Sequence, residues 1–256
     1  MTQKSKIFHL THGERGPWVT LINGHARTHR DFRNLSHQLT SQGFRVLVLD
    51  NRGSGESLVE QPFGMADMAQ DVVDLWSQLE ITSSYVLGIS MGGMIAQLLA
   101  VGSKVPNALI LVSTAPSLEF YRANVSEWAS DQAGISSQLK NYFYAGFFES
   151  NKLLVAAMAK QLMQSQADDS KQNALQRAAI GTFQLESSLI SDIKIPALMI
   201  HGAEDQIISS EGAEKIHNLI GRSIFIKYQQ TGHLILAERP HRFYEEVIKF
   251  LKSQNG

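Results

Sequence analysis

Hydrophobic residues along this chain are grouped in two ways. Short, nearly continuous apolar runs at 18–23, 45–49, 85–87, 108–113, 195–201 and 223–228 have the length of strands buried on both faces. Between them, apolar residues recur at three- and four-residue intervals. In residues 65–80, Met68, Val72, Leu75 and Leu79 form one stripe, with Asp67, Asp71, Asp74 and Glu80 off it, which predicts an amphipathic helix. Helices are also predicted at 31–41, closed by Gly43, at 91–101 and 211–220, and near the C-terminus, where Tyr244, Val247, Ile248 and Leu251 share a face. Residues 7–11 read as one more strand, joined to 18–23 as a hairpin through His12-Gly13-Glu14-Arg15-Gly16-Pro17. Alternation of this kind predicts an α/β fold, a mostly parallel central sheet with helices on both faces.

The stretch between Pro116 and Pro196 breaks the alternation. It lacks proline and any strand pattern, and it shows helical spacing such as Leu154, Met158 and Leu162. It is read as a helical cap, residues 116–190, inserted into a core domain formed by residues 1–115 and 191–256. Such a cap would lie over the C-terminal edge of the sheet, where open α/β sheets place their ligands.

Composition adds mostly exclusions. With 23 Lys and Arg against 24 Asp and Glu, and no run of like charge, there is no footprint for nucleic acid or an anionic membrane. The absence of cysteine removes disulfides, thiolate nucleophiles and cysteine metal sites. The apolar runs are too short to span a bilayer and residues 1–10 are polar, so a cytoplasmic protein acting on a small molecule is expected.

Candidate chemistry begins with Gly88-Ile89-Ser90-Met91-Gly92, a G-x-S-x-G sequence where a strand turns into a helix. The serine needs a sharp turn to expose its hydroxyl, and residues two positions either side must lack a β-carbon. The N–H of Met91, opening the next helix, would then point where an oxyanion forms. An incidental serine in a glycine-rich turn is the plainer reading, but the strand and apolar helix around it favour a nucleophile. Its base is expected at His233, in Gly232-His233 after the last strand. The acid behind that base is expected at Asp205, in His201-Gly202-Ala203-Glu204-Asp205 after the preceding strand.

These pieces, with Leu21-Ile22-Asn23-Gly24-His25 and Asp50-Asn51-Arg52-Gly53-Ser54-Gly55-Glu56-Ser57, resemble the α/β-hydrolase family. The likeness is strongest to its small cap-bearing carboxylesterases and lactone or methyl-ester hydrolases. It implies a serine esterase with a Ser90–His233–Asp205 triad, an ester substrate, and no cofactor or metal. It also places a second oxyanion donor at the backbone N–H of His25, although Asn23 stands where the family usually has histidine. The Arg52-Gly53-Ser54-Gly55 loop matches as a structural tight turn. It is no dinucleotide fingerprint, because its third glycine is missing. One strand precedes the hairpin turn where the family usually has two, so an abbreviated sheet is expected.

Serine at 90 disfavours the related enzymes that need a carboxylate nucleophile. Carbon–carbon bond hydrolases, cofactor-free haloperoxidases and thioesterases share the triad, and a non-catalytic ligand receptor on the same fold is the alternative of a different class. Within the cap, Phe143 and Phe147 share a helical face and are expected to bind the acyl group, unless they only pack the cap. No positive cluster accompanies them, which favours neutral esters with short to medium apolar acyl groups.

Overall fold

The computed structural model describes residues 6–122 and 127–254, with backbone only at 165–169. The first five residues of the polar N-terminal segment, and residues 123–126 of the expected cap, lie outside the described residues.

Among the described residues, seven strands form one sheet: β1 (His9–His12), β2 (Trp18–Ile22), β3 (Arg45–Leu49), β4 (Ser84–Ile89), β5 (Pro106–Val112), β6 (Ala197–Gly202) and β7 (Ser223–Tyr228). Their order is β1-β3-β2-β4-β5-β6-β7, parallel throughout except for β1. The expected hairpin is therefore not formed. β1 pairs antiparallel with β3, and both edges of β2 are taken by β3 and β4. The 13–17 connection is long enough to step across the start of β3, where Arg45 N–H donates to Pro17 O at 2.9 Å and Arg45 Nε to Gly16 O at 2.8 Å. A central strand buried on both faces gains more from two parallel neighbours than a half-exposed edge strand can offer.

Ten helices cover the sheet among the described residues: α1 (Arg33–Ser41), α2 (Met65–Gln78), α3 (Met91–Gly102), α4 (Gln132–Leu139), α5 (Ala145–Ser150), α6 (Lys152–Ile180), α7 (Ser187–Ser191), α8 (Ser210–Leu219), α9 (Ile235–Glu238) and α10 (Pro240–Ser253). Successive strand residues point to opposite faces, and the core divides accordingly. Leu47, Leu49, Val86, Leu109, Leu111 and Met199 pack under α2, α3, α7 and α8. Val46, Val48, Leu87, Ile110, Val112 and Ile200 pack under α1 and α10. Each fully buried aliphatic side chain contributes about 1.5–3 kcal/mol. The chain runs outward from β2 to β3 and returns to β4 on the other side of β2. The reversal point, a natural ligand crevice in open α/β sheets, thus lies between the ends of β2 and β4.

The segment between β5 and β6 is helical, as its sequence predicts. Ile135, Leu139, Phe143, Val155, Ala159 and Leu162 form an apolar cluster of their own there. On α6 the inward face is Val155, Ala159 and Leu162, whereas Leu154 stays exposed, so the 154-158-162 spacing sits at the margin of the true face. A polar row near the end of α6 ties the helix to the core. Gln172 exchanges two hydrogen bonds with the backbone of Val59. Buried Gln176 accepts from Ala26 N–H at 2.9 Å and donates to Arg52 O at 2.9 Å.

The Arg52 loop is a tight turn, closed by Gly53 N–H to Ser57 O at 2.8 Å. Asp71 is not on a solvated face: it is buried, and its carboxylate takes both Nε and Nη2 of Arg52, at 2.7 and 2.5 Å. Burial raises the Asp71 pKa in spite of the opposing Arg52. Removing one member of such a pair leaves a buried charge unmatched, whereas removing both does not. Arg52→Leu is expected to cost about 3 kcal/mol in urea unfolding, and the double change with Asp71→Leu to recover most of it.

Candidate active site

Ser90 sits between β4 and α3 with φ 54° and ψ −117°, a left-handed backbone that costs a non-glycine residue about 1–3 kcal/mol. The surroundings hold it there. Ser90 N–H donates to Val112 O at 2.8 Å, and Ser90 O accepts from Thr114 Oγ1 at 2.8 Å. A β-carbon on Gly88 would lie 2.2 Å from Gly92 O, and one on Gly92 would lie 2.1 Å from Ile22 O, so neither position tolerates a side chain.

Three residues from separate loops meet at this turn. His233 Nε2 lies 3.1 Å from Ser90 Oγ, and His233 Nδ1 lies 2.8 Å from Asp205 Oδ2. The other carboxylate oxygen of Asp205 accepts from the N–H groups of Ile207 and Ile208, at 2.8 and 2.9 Å. Burial works to raise the Asp205 pKa, but the adjoining His233 and His201 outweigh it and hold the carboxyl well below the usual carboxylate range. An ionised Asp205 accepts a hydrogen bond from Nδ1–H, which leaves the Nε2 lone pair facing the serine hydroxyl. Neighbouring Glu204 points elsewhere and accepts from Thr231 N–H at 2.9 Å.

Sequence gave no sign of His201 as a neighbour of the acid. It is fully buried, with Nε2 3.0 Å from Ile208 O and 3.1 Å from Asp205 Oδ2.

Met91 opens α3, so its N–H lies outside the helical ladder and is free to meet a ligand. Gly24 and His25 line the cavity with Ser90, and a β-carbon on Gly24 would lie 3.3 Å from Ser90 Cβ. Asn23, the departure from the family pattern, braces this loop by donating to Thr28 O and Asp31 Oδ2 and accepting from Gly24 N–H. The His25 ring turns toward the cap, with Nε2 3.1 Å from Asn173 O, and burial lowers its pKa to about 4. His29 bonds instead to Asp50, at 2.9 Å, so the two histidines of this loop do not converge.

Ser90 and His233 open into a cavity of about 120 Å³. From the cap side its walls include Trp128, Leu139, Tyr142, Met158 and Leu162. Phe143 and Phe147 are not among the lining residues, which corrects the expectation for them. They stack on each other at 5.4 Å within the cap's apolar cluster, and Phe143 is buried. The chain is not helical between α4 and α5, so the face shared by 143 and 147 on an ideal helix does not exist. Tyr142 takes the expected place: its ring meets the His233 ring edge-on at 5.7 Å, and burial pushes its hydroxyl up to about 12. Arg27 also lines the cavity, yet both its Nε and Nη2 are engaged by Asp31, at 2.6 and 2.8 Å.

Since Phe143 packs the cap, Phe143→Ala is expected to lower stability by about 3–5 kcal/mol in urea unfolding. Met158→Ala, which changes a wall of the cavity, is expected to cost less and to alter ligand size preference instead. A Phe143→Ala protein of wild-type stability would contradict this packing.

The α/β-hydrolase fold family is matched by residues 17–240 of the chain. Among curated relatives, 3-oxoadipate enol-lactonase 1 of Acinetobacter baylyi is 25% identical over 94% of this chain and 90% of its own. The non-heme chloroperoxidase of Streptomyces lividans is also 25% identical, over 97% of each. Among solved structures, the enol-lactonase of Burkholderia xenovorans superposes with a TM-score of 0.84 at 24% identity, covering 96% of each chain. Sheet order, the Ser90 turn and the span of these matches agree: the chain belongs to the α/β-hydrolase fold family.

Proposed function

We propose that this protein is a serine hydrolase that cleaves a small carboxylic ester or lactone through an acyl-enzyme on Ser90. The observation that carries the reading is the unbroken chain from Ser90 Oγ through His233 to the buried Asp205, opening into an apolar cavity. Neutral His233 takes the serine proton as Oγ attacks the carbonyl carbon. The resulting oxyanion accepts hydrogen bonds from the backbone N–H groups of Met91 and His25. Asp205 holds the ring in register and stabilises the imidazolium. His233 then protonates the leaving oxygen, and a water activated by the same ring releases the acid. With a lactone the leaving hydroxyl stays tethered to the acyl group, and the product is a hydroxy acid. No step in this route requires a metal or cofactor.

Substrate preference follows from the walls. The cavity is small and largely apolar, and its arginine is neutralised by Asp31, which favours a neutral acyl group of short to medium length. Likeness to an enol-lactonase over nearly the whole chain supports including lactones.

A fluorophosphonate probe is expected to label the protein once, at Ser90, and Ser90→Ala to lower turnover by roughly 10⁴-fold or more. Labelling that survives Ser90→Ala would exclude this nucleophile. Repeated turnover on nitrophenyl esters distinguishes an enzyme from a receptor that cleaves once and stalls. Asp205→Asn is expected to cost roughly 10⁴-fold in turnover. Glu204→Gln should cost far less, because Glu204 only braces Thr231. Reversal of that order in steady-state assays would mean that Glu204 orients the base.

A further inference from the structure

The segment that carries His233 packs against the cap as well as the core. His233 and Leu234 both donate their N–H groups to Tyr142 O, at 2.8 and 3.2 Å. A β-carbon on Gly232 would lie 2.7 Å from Phe143 C, Tyr142 O and Tyr144 N, so the two main chains touch. Glu238, the last residue of α9, closes this contact. It is only 5% exposed; Oε1 accepts from Gly232 N–H at 2.9 Å and Oε2 from Tyr144 N–H at 3.1 Å. One carboxylate thus spans the N–H preceding His233 and an N–H at the edge of the cap. The proposed chemistry makes no use of it.

We propose that Glu238 is a positioning residue whose carboxylate fastens the His233 loop to the cap, so that placement of the base depends on seating of the cap. The inference rests on the serine hydrolase reading above. Its physical basis is acceptor count. Two buried N–H groups converge on one side chain, and only an ionised carboxylate offers a full acceptor to each. An amide offers one acceptor and turns its NH2 toward the other N–H, and a protonated carboxyl keeps only the weaker acceptor of its hydroxyl oxygen for that N–H.

Charged and titratable neighbours agree with this role. Arg239 follows Glu238 but directs its guanidinium to Thr231 Oγ1 and Gln230 O. Asp205 lies in the loop after β6, His233 in the same loop as Gly232, and Tyr142 and Tyr144 in the cap. Burial pushes the Glu238 carboxyl up to about 7, against the hydrogen bonds from Tyr144 and Gly232 and the charge of Arg239, while Asp205 pushes the same way as burial. Glu238 therefore gains a proton as pH falls through about 7. The fastening loosens on the acid side.

The test is kcat/KM for nitrophenyl acetate from about pH 5 to 9, in the wild type and three variants. In the wild type the Glu238 carboxylate must be free of its proton, so the acid limb of log kcat/KM against pH is expected to be steeper than in a variant without that carboxylate. Glu238→Gln is expected to lower the plateau by roughly 10²-fold and to make the acid limb shallower. Tyr144 has φ −58°, which proline also adopts, so Tyr144→Pro removes its N–H while keeping φ. Tyr144→Pro should fall well below Tyr144→Ala, which loses the ring but keeps the N–H. A wild-type acid limb no steeper than that of Glu238→Gln would overturn the proposal, as would equal activity of Tyr144→Pro and Tyr144→Ala. If Glu238→Gln fails to fold, the Tyr144 comparison decides. Fluorophosphonate labelling separates the two levels: an unlabelled wild type sinks the hydrolase reading itself, whereas Ser90 labelling with an unchanged Glu238→Gln profile sinks only the role of Glu238.

Discussion

Everything at this site depends on the left-handed backbone of Ser90. A side chain at φ 54° is strained, and the strain persists only because β4, β5 and the start of α3 over-determine the turn. That requirement propagates outward. Gly88 and Gly92 must remain bare because carbonyl oxygens of Gly92 and Ile22 occupy the space of a β-carbon. β2 must therefore lie directly beside β4, and the loop after β2 is brought against Ser90, where Gly24 and His25 form a wall of the cavity. Sheet order and site geometry are one constraint seen at two scales.

The helical segment between β5 and β6 is attached on both sides of the Ser90–His233 cavity. On one side the amides of Gln172 and Gln176, with the backbone of Asn173, hold α6 to the loops around His25, Arg52 and Val59. On the other, the backbone of residues 142–144 clasps the segment around His233. These contacts are polar and directional, whereas the cap's own interior is an apolar cluster. A hydrogen bond to backbone fixes register more sharply than apolar packing does, because it fails within a few tenths of an ångström. The cap is thereby aligned with both halves of the site.

Electrostatics within the site is set by Asp205. It is buried among backbone N–H donors and two imidazoles, which keep it ionised where burial alone would favour the acid. One charge so placed decides the tautomer of His233 and hence which nitrogen faces Ser90. The second imidazole, His201, adds to that environment without reaching the cavity.

By itself, sequence determined the parallel α/β fold, the helical insertion and the residues of the Ser90 turn, because these follow from local spacing. Buried strands appear as apolar runs, helices as three- and four-residue stripes, and the sharp turn as glycines flanking Ser90. Asp205 and His233 were legible for the same reason, each lying just past a strand on one sheet edge. What required tertiary structure was every relation between distant segments. β1 reads as half of a hairpin until β3 takes its place beside β2. Asp71 reads as solvated until Arg52 reaches it across the 52–57 turn. Phe143 and Phe147 suggest a pocket by number and spacing, yet the pocket belongs to Tyr142, because direction at a non-helical junction is set by what packs on either side. The contacts of Glu238 with Tyr144 and of Gln176 with Ala26 span 94 and 150 residues and leave no trace in local composition. Periodicity records which side of an element is buried; only the folded chain decides against what.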